Sequence, residues 1–186
     1  MANPHLETAR LRLTLLNMDD APHVYPFMAD PEIAANTALI PYPYPPGAAE
    51  SWIQATQATA AHGEEYTFAI RLKQADGQDR FMGAIGIGAD ADAYRGQVGY
   101  WLGKPHWGQG YMTEALCRVI RFGFDELALH RVYATHFDFN PASGRVMQKA
   151  GMRYEGTQRG YLLKDGRYVD ALLYAILRTD EAAARL

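Results

Sequence analysis

The chain contains a single cysteine, Cys117, so no disulfide can close within it. That usage fits a reducing compartment and predicts a cytoplasmic protein. No apolar run approaches the roughly 20 residues a membrane span requires. The opening Met1-Ala2-Asn3-Pro4-His5 also lacks the charged-then-apolar pattern of a secretion signal. Basic charge is short too. Eighteen Lys and Arg against 21 Asp and Glu leave a formal net charge of −3, which argues against broad nucleic-acid binding. The six histidines show no metal-ligand spacing, and His130 and His136 would lie about 20 Å apart at strand rise. No metal, membrane or nucleic-acid partner is therefore expected. What remains is ordinary for a globular chain: 186 residues, 48% of them apolar and 21% charged. Residues 1–186 read as one domain, able to bury roughly 70% of its unfolded surface.

Residues Ala9 to Leu16 alternate Arg10, Arg12 and Thr14 against Leu11, Leu13 and Leu15, the pattern of a half-buried strand. Asn17 and Asp19-Asp20 cap a helix running to about Ala29, which Asp30-Pro31 ends. Pro41, Pro43, Pro45 and Pro46, interleaved with Tyr42 and Tyr44, cannot join a sheet ladder and predict an ordered loop. A helix over Ala48–Ala61 follows. Strands are expected at Tyr66–Lys73, Phe81–Gly88 and Val98–Leu102, then a helix over Tyr111–Glu126 with the apolar stripe Met112, Leu116, Val119, Ile120, Phe124. Cys117 falls inside that helix, where buried packing suits it better than a catalytic thiol role. A strand at Arg131–Phe139, a helix at Pro141–Ala150 and two strands joined by Asp165-Gly166 complete the chain. The order β-α-α-β-β-β-α-β-α-β-β is an α+β arrangement. Only the unit around the glycine turn calls for a parallel crossover.

Residues Gly99 to Ala115 are the most informative. A strand ends at Leu102, and Gly108-Gln109-Gly110 then feeds directly into a helix. Such a junction leaves several backbone N–H groups unpaired at the positive end of a helix dipole, a site suited to a diphosphate. A P-loop needs Lys followed by Ser or Thr after the last glycine, and Tyr111-Met112 stands there instead. A dinucleotide fingerprint needs a third glycine near position 113, which is Thr113. An acyl-CoA diphosphate cradle fits, as does a purely structural turn.

Gly99-Tyr100-Trp101-Leu102 with Trp107-Gly108-Gln109-Gly110-Tyr111-Met112-Thr113-Glu114-Ala115 resembles the acetyl-CoA motif of the GNAT N-acetyltransferases. Asn140-Pro141-Ala142-Ser143 and Lys149-Ala150-Gly151-Met152 resemble that superfamily's second motif. The opening Glu7-Thr8-Ala9-Arg10-Leu11-Arg12-Leu13 and the closing Asp165-Gly166-Arg167-Tyr168-Val169-Asp170 are similar to the RimJ/RimL branch, which acetylates protein N-termini. The likeness spans the chain. It implies a mixed, mostly antiparallel, splayed sheet with helices on both faces, and acetyl-CoA as co-substrate. It also implies cofactor contacts from Tyr100, Trp101, Leu102, Trp107, Gly108, Gln109, Gly110, Tyr111, Met112, Thr113, Asn140 and Ser143. Asn140 and Ser143 take the catalytic positions, Asn140 toward pantetheine and Ser143 toward the sulfur. Both also suit helix capping. Two departures stand out. Pro105 occupies a position where the pattern carries Gln or Arg, and Leu162 occupies the register of the RimL-type glutamate. Glu155, Asp138, His136 and Asp170 remain as candidates for the missing base.

Acetyl transfer needs an anchored cofactor, a polarised thioester, a neutral amine and a protonated leaving thiolate. About one-tenth of an α-amine is neutral at pH 7, against a few lysine side chains per ten thousand. The expected activity is therefore direct acetyl transfer to a protein or peptide N-terminal α-amine. Tyr42, Tyr44, Trp52 and Tyr161 are expected around the acceptor. A small-molecule acetyltransferase acting on an aminoglycoside or polyamine, and a non-catalytic acyl-CoA sensor, are the competing readings. A homodimer is left open.

Overall fold

In the computed structural model, which describes residues 4–186, eight strands form one open sheet. Met1, Ala2 and Asn3, part of the segment read for a secretion signal, lie outside the described residues. The strands are β1 (His5–Glu7), β2 (Leu11–Leu15), β3 (Glu65–Leu72), β4 (Arg80–Asp90), β5 (Arg95–Leu102), β6 (Arg131–Phe137), β7 (Arg153–Lys164) and β8 (Arg167–Leu177). The helices are α1 (Ala21–Met28), α2 (Pro31–Ala35), α3 (Ala48–Ala61), α4 (Tyr111–Asp125) and α5 (Pro141–Lys149). The strands lie in the order β1-β2-β3-β4-β5-β6-β8-β7, antiparallel throughout except for β5 against β6.

Period-two alternation divides the core. Ile85, Ile87, Val98 and Leu102 pack on one face against Leu116, Val119 and Ile120 of α4. Ala84 and Trp101 face the other way, against Val24, Met28 and Ile53 of α1 and α3. Cys117 is half-buried beside the first cluster, and burial pushes its thiol pKa up, as suits a packing residue.

The structure departs from the sequence pattern in four places. Asp30-Pro31 ends α1 but also opens α2: the Asp30 carboxylate accepts the Glu32 amide at 2.9 Å, and proline fits the first helical turn. The short β1 adds an edge strand that three residues of pattern did not signal. β5 begins at Arg95, three residues early, and β6 stops at Phe137. There the Asp138 carboxylate takes the Phe139 amide and the chain turns. The Asp165-Gly166 hairpin is as expected, both residues having positive φ, at 49° and 77°.

One feature of the sheet positions the site. β5 and β6 pair only through Arg95–Arg131, Gly96–Val132 and Gln97–Tyr133. Beyond Gln97 the two strands part, and Val98 to Leu102 has no partner on that side.

The loop leading into α4 is tied to the first hairpin. Glu114, in the first turn of α4, accepts the Thr8 hydroxyl at 2.6 Å, the Arg10 amide at 2.9 Å and Arg10 Nε at 2.7 Å. Arg10 also donates to the Gln109 carbonyl at 3.1 Å and lies 4.5 Å over the Tyr111 ring. Burial alone would raise the Glu114 pKa, but these donors outweigh it and hold the carboxyl below the usual glutamate range. Its contribution to stability is therefore complete above the ordinary glutamate pKa and is lost as pH falls through the lowered folded value. Glu114→Gln should cost about 1–3 kcal/mol at pH 7, and thermal melts should show that deficit shrinking toward pH 3.

Candidate active site

The loop before α4 is shaped by backbone alone. Gly108 and Gly110 adopt φ of +72° and +81°, which β-carbon-bearing residues rarely reach. Gly110 is the helix N-cap and offers no side-chain cap, while its carbonyl takes the Glu114 amide at 3.1 Å. Among the described residues no acceptor meets the amides of residues 108–113. The cradle is thus an open row of donors at the positive end of a 15-residue helix. Gln109 Nε2 braces it on the Pro105 carbonyl at 2.9 Å, so the proline position still steadies the loop through its backbone.

A cavity of about 540 Å³ runs from this cradle to the strand gap. Trp107, Gly108, Gly110, Tyr111, Met112 and Thr113 line it, with Asn140 and Ser143 on the far wall. Gln109 points away and does not line it. Arg145 and Lys149, one turn apart on α5 and both exposed, do line it. Sequence reasoning missed this pair because their spacing is that of any solvated helix face. Only the docking of α5 beside the cradle brings them to the cavity wall.

The cavity ends where β5 parts from β6. Gly103 N–H donates to the Met82 carbonyl at 2.8 Å, so alternation turns the amides of Leu102 and Tyr100 toward the gap and that of Trp101 toward β4. The Leu102 carbonyl is occupied by Trp107 Nε1 at 2.6 Å, and its amide is left facing the gap. Across the gap the Tyr100 hydroxyl lies 2.9 Å from Ser143 Oγ and donates to the Ser143 carbonyl at 3.2 Å. Burial pushes the Tyr100 phenol pKa up, against a smaller opposing pull from Ser143, so the phenol stays protonated. Asn140 caps α5 by accepting the Ser143 amide at 3.2 Å.

A second cavity, about 480 Å³, opens on the other side of the same gap. Tyr44, Trp52, Tyr161 and Leu162 line it, together with Leu39, Ile40 and Glu65. Tyr42 does not: it is 59% exposed on the outside of the proline-rich loop, whereas Tyr44 is 8% exposed and packs inward. Lys164 closes the roof by donating to the Ala34 and Thr37 carbonyls at 2.9 and 2.8 Å, tying the last hairpin to the end of α2. The two cavities share Asn36, Thr37, Tyr100, Trp101, Asn140 and Ser143.

The carboxylates weighed as the missing base are engaged elsewhere. Glu155 forms a two-pronged pair with Arg131, which holds its pKa below the usual range. Asp138 Oδ1 accepts the Phe139 amide at 2.8 Å, and Asp170 Oδ1 the Gly160 amide at 2.7 Å. His136 is buried under α5, with Nδ1 2.7 Å from the Phe137 carbonyl and Nε2 against Gly144. Among the described residues no group of three or more His, Cys, Asp or Glu could hold a metal ion.

Comparison with known proteins agrees with this geometry. The sequence profile of the acetyltransferase (GNAT) domain matches residues 10–153. N-acetyltransferase p20 of Bacillus licheniformis is 29% identical over 178 residues, covering 95% of this chain and 98% of its own. The ribosomal protein uS5-alanine N-acetyltransferase of Escherichia coli is 32% identical over 106 residues, 54% of this chain and 55% of its own. Mycobacterium smegmatis RimJ, solved with a CoA-disulfide, superposes with a TM-score of 0.85 at 26% identity, covering 100% of this chain and 94% of its own. RimL, the L7/L12 α-N-protein acetyltransferase, has a TM-score of 0.84 at 17% identity over 94% of this chain and 98% of its own, a likeness of fold. With the profile spanning both the glycine cradle and the Asn140–Ser143 turn, the chain belongs to the GNAT acetyltransferase family, in its RimJ/RimL-like branch, and is an acetyl-CoA-dependent acyltransferase.

Proposed function

We propose that this enzyme transfers the acetyl group of acetyl-CoA directly to the α-amine of a protein or peptide N-terminus. The observation that carries this reading is the meeting of a donor-lined cavity and an aromatic-walled one at a single parted strand. In this reading the amides of residues 108–113 grip the diphosphate, with Arg145 and Lys149 adding charge. Pantetheine runs into the gap toward Asn140. The Leu102 amide polarises the thioester carbonyl, and the amine enters from the opposite cavity. The amine nitrogen bonds to the carbonyl carbon, the carbon–sulfur bond breaks, and the departing thiolate takes a proton from the Tyr100–Ser143 hydroxyl pair. That pair is refilled by a proton released from the amine. Both reactants are present together, and the half-buried Cys117 on α4 lines neither cavity, so no covalent intermediate is invoked.

Support for an α-amine comes from its lower pKa, which needs the least help with deprotonation where Leu162 stands in the register of the glutamate. Two of the similar proteins are named as a ribosomal protein uS5-alanine N-acetyltransferase and an L7/L12 α-N-protein acetyltransferase. Thiol release from acetyl-CoA should be measured across N-terminal peptides, an Nα-blocked lysine peptide, spermidine and an aminoglycoside. The expected order puts peptide α-amines first; faster turnover of lysine or a polyamine overturns the reading, and CoA binding without turnover on any amine favours a sensor.

Two further outcomes follow from the same geometry. Removing both Arg145 and Lys149 (to Ala) should weaken CoA binding by about tenfold or more, as expected for two charge-assisted contacts, with the deficit shrinking in high salt. Calorimetry with CoA and with 3′-dephospho-CoA would show which phosphate they meet. Ser143→Ala should lower kcat by about tenfold while leaving the acetyl-CoA KM within a factor of two, because it removes a hydrogen bond made chiefly to the departing sulfur.

A further inference from the structure

Among the residues lining the acceptor cavity, Glu65 is the only carboxylate, and no lysine or arginine accompanies it. It opens β3 and is half-buried. The Thr67 hydroxyl, two residues along the same strand face, donates to its Oε1 at 3.2 Å and is its one described hydrogen-bonding partner. The carboxylate lies over β4 at Gly86. A Cβ added there would sit 3.1 Å from both Glu65 Oε1 and Thr67 Oγ1, so the backbone beneath is bare because the carboxylate uses that space. Register continues the row. Thr67 pairs with Gly86, and Gly86 with Gly99, whose missing Cβ faces open space. Two glycines thus clear a floor from the Glu65 carboxylate to the stretch of β5 that leads to Tyr100 and the gap. Gly99 stands three residues, about 10 Å at strand rise, before Leu102, so the floor leads an incoming amine along β5 toward the Leu102 amide.

The rest of the cavity is largely apolar, with Leu39, Ile40, Tyr44, Trp52 and Phe137 on its walls. A carboxylate with a single neutral hydrogen-bond donor is poorly compensated in such surroundings, and a cation entering the cavity would restore the balance. The reaction's second substrate arrives mostly as an ammonium ion at neutral pH.

We infer that Glu65 is the acceptor-recognition residue: it receives the ammonium group of the incoming amine over the Gly86–Gly99 floor and selects acceptors with one positive charge at the reacting end. This inference rests on the assignment of the second cavity to the acceptor. With one carboxylate and no acidic cluster, the cavity fits a singly charged head group followed by an apolar segment rather than a polycation. The sequence hid this residue because β3 looks like any buried strand until its register with β4 and β5 is known.

The test compares the wild-type enzyme with Glu65→Gln and Glu65→Asp, reading thiol release with two acceptors: a cationic amine the wild type acetylates, and an arylamine that is uncharged at neutral pH. Glu65→Gln should lower kcat/KM for the cationic amine at least tenfold, mainly through acceptor KM, and leave the arylamine and the acetyl-CoA KM within a factor of two. Glu65→Asp should recover part of the loss. An equal loss on both acceptors, or on neither, overturns the inference, and thermal melts of each variant identify a folding defect as the source of an equal loss. If peptide α-amines prove inert but another cationic amine shows the split, the proposed acceptor class falls while the role of Glu65 stands. A wild type that prefers the uncharged arylamine overturns the role itself.

Discussion

A parallel strand pair that lasts for only three registers governs everything else in this molecule. Sheets normally satisfy every interior backbone group, and leaving a row of them unpaired is costly unless something else arrives to bond them. Here the outer half of β5 turns Tyr100 and Leu102 amides into a gap, which the Tyr100 hydroxyl bridges by reaching Ser143. The two cavities open on either side of this separation, which is why six residues belong to both. A fully zipped sheet would close both.

An opening of this kind must be held from outside. Three contacts do so, each joining elements far apart in sequence: Arg10 and Glu114 fasten the first hairpin to the helix behind the cradle, Lys104 meets Glu32 of α2 at 2.6 Å, and Lys164 caps the end of α2 from the last hairpin. The exposed Lys104–Glu32 pair adds little to global stability, unlike the partly buried Glu114 cluster. The importance of the three contacts here is geometric, since they fix the two loops that flank the gap. The aromatic packing of Phe27, Phe81 and Trp101 supports the same region from below, with ring centroids about 6 Å apart in the offset arrangements such rings prefer.

Much of this was legible from local pattern. The strand, glycine turn and helix around position 108 follow from residue identity alone, as do the Asn140 cap on α5 and the Asp165-Gly166 hairpin, because each is decided within a few residues. The brief restart of the helix at Pro31 was not, since a proline read as a stop also makes a good first turn. The insertion of β8 between β6 and β7 leaves no trace in spacing. Candidate site residues divided in the same way. Those on the cradle and at the α5 turn are motif-bound and visible. Arg145, Lys149 and Glu65 acquire their meaning only when elements about 20 to 40 residues apart are docked, and Tyr42 and Tyr44, alike in sequence, part company according to which side of the loop faces the core.

The proposed grip on the donor's phosphates is mostly main chain, while the proposed chamber for the other substrate is walled by side chains from α3, the proline-rich loop, β3 and the closing hairpin. Exchanging side chains alters the second throughout, and the first only where Arg145 and Lys149 flank it. Lineages built on this plan are therefore free to change clientele by ordinary point mutation, keeping one fuel while wandering among many customers.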